Sequence, residues 1–207
     1  MSYYLGIFGG VGTNPSAVLL KGKKIIAFSE EERFNRIKNA PLALPLNAIF
    51  YCLKKANISI NKIKDVSFGW DCPHQFYVVP KTLKKIYSKH GALKNTYNLN
   101  LEERIRLGYD PDKIMNEIKW AFAKKKLNFN KKIKYYKHHL SHAASTFFPS
   151  GFKKSSILIL DGMGEEFTGG FYVGNGKNIR CIKKFKLPNT LGGYYSTFTE
   201  FFGFKSN

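Results

Sequence analysis

The chain has 207 residues, 43% hydrophobic and 23% charged. It is apolar enough to bury a core, which excludes wholesale disorder, and long enough for one domain or one domain and part of another. Lys and Arg total 34 against 14 Asp and Glu, a formal charge of +20, so nucleic acid has to be considered as a partner.

The basic excess consists of 29 Lys and only 5 Arg, dispersed along the chain beside 16 Asn. Readers of phosphates and grooves favour the planar Arg fork, so compositional bias is the better account and nucleic acid is disfavoured. Cys52, Cys72 and Cys181 lie far apart, which argues against a disulfide framework. The longest apolar run, from Leu42 to Leu53, is broken by Pro45 and Asn47, too short for the ~20 residues a membrane span needs. A cytoplasmic chain is expected.

In chain order, Tyr3 to Phe8 reads as a strand. The Gly-rich loop Gly9-Gly10-Val11-Gly12-Thr13-Asn14 follows, then strands at 16–20 and 25–28 around a turn at Gly22. Pro45 opens a helix with Ile49, Leu53 and Ala56 on one side. A fourth strand covers Val66 to Phe68. Residues 74–130 are polar, Lys-rich and helical in pattern, an insertion packed beside a sheet. Asp110 is the N-cap of its best helix, Pro111 the first position, and Ile114, Ile118 and Phe122 the buried stripe. The run Lys124 to Lys126 reads as a solvated helix end. Ile133 to Tyr136 is a strand that runs into His138-His139-Leu140-Ser141-His142 and a helix ended by Pro149.

The opening pattern then returns. Ile157 to Leu160 is a buried strand, Asp161-Gly162-Met163-Gly164-Glu165 a Gly-rich loop, and 169–173 and 179–182 a hairpin turning at Gly174 to Gly176. Two such halves resemble the layout of the actin, Hsp70 and sugar-kinase superfamily, a ribonuclease H-like α/β fold in which paired Gly-rich loops hold nucleotide phosphates. That layout puts Gly10 and Gly12 in one loop, Gly162 and Gly164 in the other. The expected organisation is a first lobe over 1–150 and an incomplete second lobe over 151–207. A last helix carries Tyr194, Phe198, Phe201 and Phe202 on one stripe. Its exposure suggests a fragment, or a partner that covers it.

His138 and His142 stand at i and i+4, close enough on a helix to share one metal ion. Leu140, Ala144 and Phe147 are expected on the opposite, core face, with His139 on the flank. Asp161 ends a buried strand downstream, and ligands gather at such strand ends. Two His and a carboxylate suit Fe(II), with Mn(II) or Zn(II) as alternatives. The spacing is not HExxH, because no Glu lies between the His residues. Gly162 and Gly164 would let amides approach an anion, and Glu165 and Thr168 would add polar groups at the mouth.

At these residues the sequence resembles the NodU/CmcH carbamoyltransferases. The segment from His138 to Ser145 with Phe147 to Ser150 is similar to their HHxxHAxSxFxxS, and Asp161 to Glu165 to their DGxGE. Ser29 to Phe34 with Arg36 to Lys38 is similar to their EEERFxRxK box, and Leu191 to Lys205 to their LGxxYSxFTxxxGFK. The resemblance covers nearly the whole chain outside 74–130. It implies a Kae1-like N-terminal domain that works with a YrdC-like domain absent from these residues. The substrates would be carbamoyl phosphate, ATP (through carbamoyl adenylate) and a hydroxylated sugar-type acceptor such as a sugar, antibiotic or glycan. By matching motif, His138, His142 and Asp161 would be metal ligands, with Gly162, Gly164 and Glu165 near the nucleotide and transfer near His139. Where the family usually has His-Asp in its first loop, this chain has Thr13-Asn14, which removes a His that could aid transfer. The missing C-terminal part, or a second copy, is the expected protein partner. An inactive remnant that binds metal or a partner is the alternative reading, and a role in tRNA modification a weaker one. Glu30 to Glu32 read equally well as a plain helix start or as cleft residues.

Overall fold

The computed structural model describes residues 1–10, 12–89 and 107–204. The described residues fall into two units. One lies within 1–76 and 103–135, the other within 77–102 and 136–207.

In the first unit, side chains alternate along Tyr3–Phe8 (β1), Ser16–Lys21 (β2) and Lys24–Glu30 (β3). Period two turns Leu5, Ile7, Ala17, Leu19 and Ala27 to one buried face. These strands form an antiparallel meander. Ile63–Phe68 (β4) joins β1 in parallel, and Ile133–Tyr135 (β5) joins β4 in parallel. The order β3-β2-β1-β4-β5 is that of a ribonuclease H-like α/β lobe, as expected.

Short helix α1 (Glu32–Asn35) follows β3, and α2 (Leu46–Lys55) buries Ala48, Ile49, Cys52 and Leu53. Pro45 stands at the N-cap of α2 and supplies no side-chain cap. Glu31 does so from outside the helix. Its Oε1 accepts from the Asn47 amide at 3.2 Å and from Asn47 Nδ2 at 2.7 Å, and its Oε2 from the Ala48 amide at 3.0 Å. Helices α3 (Cys72–Tyr77), α4 (Val79–Lys89) and α5 (Pro111–Lys124) occupy the described part of the expected insertion. Its residues 90–106 lie outside the described residues. Asp110 caps α5, accepting from the amides of Asp112 and Lys113. Ile114, Ile118 and Phe122 enter the first core.

The second unit contains α4 and, after it, α6 (His138–Phe147), β6 (Lys154–Gly164), β7 (Phe167–Asn175), β8 (Asn178–Lys186) and α7 (Leu191–Phe201). The strands form a separate antiparallel sheet, β6-β7-β8. Strand, turn, strand, turn, strand thus does occur twice. Ala143 and Phe147 of α6 pack on Ile157, Ile159 and Tyr172. Gly174 makes room for this, since a Cβ there would strike the Phe147 ring. The division by packing falls ahead of α6 and gives 77–102 to the second unit as well, whereas the sequence reading drew one boundary near 150. Among the described residues no helix is long and apolar enough to cross a membrane.

Candidate metal centre

The N-terminus of α6 has no cap from Lys137. The Glu165 carboxylate fills that place across 27 residues of sequence, its Oε1 accepting from the His138 amide at 3.0 Å. Glu165 sits in the β6–β7 turn with φ of 52°, and only 1% of it is exposed. A carboxylate at a helix N-terminus meets free N–H groups and the positive end of the helix dipole.

The buried side chains of α6 are His139, Ala143 and Phe147. This corrects the expected stripe of Leu140, Ala144 and Phe147 and the flank position of His139. The helix is rotated by about one residue, about 100°, so a polar ring joins the core stripe. His138 and His142 lie beside that stripe, one turn apart. The His138 side chain is 14% exposed and that of His142 48%.

Asp161 reaches these rings because β6 bulges. Leu160 pairs with Gly169, and the next pair is Gly164 with Phe167. Residues 161–163 face one residue of β7, which re-aims their side chains. The segment expected as a loop is thus irregular strand through Gly164. Asp161 Oδ1 accepts from the Gly162 amide at 2.6 Å. Its Oδ2 lies 3.0 Å from His138 Nε2, 3.4 Å from His139 Nε2 and 3.6 Å from His142 Nε2. Burial opposes ionisation of Asp161, but the imidazoles and the Gly162 N–H together outweigh it and hold the carboxyl well below the usual carboxylate range.

Two contacts fix the bulge from below. The Thr190 hydroxyl donates to the Gly162 carbonyl at 2.7 Å while its oxygen accepts from the Gly193 amide at 3.0 Å, capping α7. A Cβ on Gly192 would collide with the backbone of Asp161 and Gly162. The Leu191-Gly192 motif therefore has a local cause: α7 starts directly on the bulge. A Cβ on Gly164 would lie 2.6 Å from His138 Cδ2 and 2.9 Å from His139 Nε2.

The expected residues divide accordingly. His138, His142 and Asp161 come together. Gly164 and Glu165, expected beside a nucleotide, are turned to α6: one lies against its rings, the other caps it. Thr168, expected at the mouth, is buried with its hydroxyl donating to the Asn189 carbonyl. Gly162 leaves open space at its Cα. In the first unit, the Gly10 amide donates to the Ala43 carbonyl at 2.7 Å, while Gly12 faces open space. Sequence reasoning missed the burial of His139 and the part played by Thr190. The doubled His and the Thr before Leu191-Gly192 were the available signals.

The donor atoms of His138, His142 and Asp161 all lie within 4.8 Å of one another. His142 Nε2 faces His138 Nε2 at 2.9 Å, so the donor triangle has edges of 2.9, 3.0 and 3.6 Å. An ion with bonds of about 2.1 Å would space its ligand atoms by roughly 3.0–3.4 Å. Neutral imidazoles and a carboxylate, open to solvent beside His142, fit a divalent transition ion with free positions.

Residues 7–207 match the family model described as the carbamoyltransferase N-terminus. An uncharacterized protein of Synechocystis is 31% identical over all of this chain and 33% of its own length. Nodulation protein NolNO of Sinorhizobium fredii is 28% identical over 91% of this chain and 25% of its own. The chain thus spans a quarter to a third of these relatives. Among solved structures, YeaZ from Pseudomonas aeruginosa is similar over 91% of this chain and 68% of its own, at 11% identity and a TM-score of 0.47.

Proposed function

The chain belongs to the carbamoyltransferase N-terminus family, and from that premise we propose that it supplies the metal-binding transfer site of a carbamoyltransferase. The observation that carries this is the meeting of His138, His142 and Asp161 donors at one point in the second unit. Fe(II), Mn(II) or Zn(II) would be held there. Such an ion would polarise the carbonyl of a carbamoyl donor and steady the charge that develops during acyl transfer.

The chain's own residues set up that chemistry. Asp161, its carboxyl held below the usual carboxylate range, would give the site a negatively charged ligand. Glu165 and Gly164 fix the start of α6 and hence the aim of His138. Thr190 fixes the backbone that carries Asp161. The exposed side of His142 is the approach for substrate. The donor would be carbamoyl adenylate, formed from carbamoyl phosphate and ATP by regions outside residues 1–207. The acceptor would be a hydroxyl of a sugar, antibiotic or glycan. Within the second unit, Gly162, with open space at its Cα, would be free to approach a nucleotide.

Elemental analysis of the purified chain, beside His142→Ala, tests the metal reading. Near-stoichiometric Fe, Mn or Zn that disappears in the variant is expected. Equal metal in both proteins, or none in the parent after reconstitution, would overturn it.

A further inference from the structure

His139 is not needed as a ligand of the proposed centre, yet its ring is built into it. It is 3% exposed, on the core stripe of α6. Among the described residues its Nε2 makes no well-formed hydrogen bond, and Asp161 Oδ2 lies 3.4 Å away. The Nε2 atom is buried, and Gly164 lies against Cε1 and Nε2 where any larger residue would displace them. A buried N–H at this position has every reason to donate to the adjacent carboxylate.

We infer that His139 is a positioning residue. Its Nε2–H orients the Asp161 carboxylate so that Oδ2 faces the donor atoms of His138 and His142. A group that holds a ligand without binding the ion commonly governs affinity. Such a residue must be protonated at Nε2, where a ligand nitrogen must be bare. That difference separates His139 from its two neighbours within one segment. The inference rests on the metal reading of His138, His142 and Asp161.

The test is Co(II) titration of the full chain, read by its visible absorption, in the parent, His139→Phe and His139→Gln. Phe keeps a ring of similar bulk against Gly164 and removes the donor; Gln restores an N–H near the Nε2 position. His139→Phe is expected to weaken Co(II) about 10- to 100-fold with unchanged band intensity, and Gln to recover most of the loss. Equal affinity for Phe and parent, or equal weakness of Phe and Gln, would overturn the role. So would band intensities reporting one ligand fewer, which would make His139 a ligand. A parent that binds no Co(II) overturns the metal reading itself, whereas a parent that binds as tightly as the Phe variant overturns this inference alone. Ring 15N shifts of the Zn(II)-loaded parent need no variant: Nε2 of His139 is expected to carry the proton, and the Nδ1–H tautomer would refute the assignment.

Discussion

Glu31 and Glu165 serve the same purpose in the two units. Each is a buried carboxylate that reaches across the chain to the amides opening a helix whose own N-cap residue cannot help. This gives the acidic run at 30–32 a structural cause. Glu31 is 3% exposed with both oxygens engaged, and Glu32 Oε2 accepts from the Asn39 amide at 2.8 Å. Arg33 only braces Glu30 and Glu32 from outside, in pairs exposed enough to add little. Glu31→Ala would leave two α2 amides and the Asn47 side chain without an acceptor. The expected cost is about 3 kcal/mol of unfolding free energy in urea, with Arg33→Ala within about 0.5 kcal/mol of the parent. A loss below about 1 kcal/mol for Glu31→Ala would refute the capping role.

At the scale of elements, the centre is one helix laid on one bulged strand, and Gly164 is where they meet. A methyl group there would push on the rings of His138 and His139. Gly164→Ala should therefore cost about 1–3 kcal/mol and at least ~10-fold in metal affinity. Gly162→Ala, two residues away with open space at its Cα and no positive φ, should leave both near the parent. Comparable losses in the two variants, by urea unfolding and Co(II) titration, would remove Gly164 from the centre. The elements themselves were legible. Apolar alternation in β1 to β3, the cap and stripe of α5, and the return of the strand pattern after 154 depend on near neighbours in sequence. The rotation of α6 was not. A hydropathy stripe assigns Leu140 to the core and His139 to the flank, but Asp161 and Gly164 arrive from 22 or more residues downstream and make a polar core position tenable. The bulge at 161–163 escaped for a related reason: Gly suggests a loop, and only pairing with β7 shows that the strand goes on. Capping by Glu31 and Glu165 leaves no local trace either, since both act across the fold.

For the whole molecule, the two cores share no residue among those described. The first draws on a five-stranded sheet with α2 and α5; the second is a small cluster between α6 and one face of a three-stranded sheet. The other face of that sheet presents Leu158, Leu160, Phe171 and Ile182, each about half exposed, and α7 with its C-cap adds Tyr194, Phe198, Phe201 and Phe202. A groove of about 640 Å³ runs among Leu160, Phe185, Leu191 and Tyr194. So much open apolar surface removes the main source of stability, ~25 cal/mol per Å² buried. The second unit should therefore unfold at lower urea than the first. Trp70 and Trp120 are the chain's 2 tryptophans and both lie in the first unit, so fluorescence follows that unit alone, while far-UV circular dichroism follows both. Two transitions are expected by dichroism, only the later one coinciding with fluorescence. Metal sharpens the test, because all three proposed ligands are in the second unit. An ion at 100 times its Kd should raise the early transition by about 2.7 kcal/mol and leave the tryptophan transition in place. A single coincident transition would show that the units unfold as one. Movement of the tryptophan transition by metal would mean that binding reaches the first unit, and that the centre is not confined to α6 and the bulge of β6.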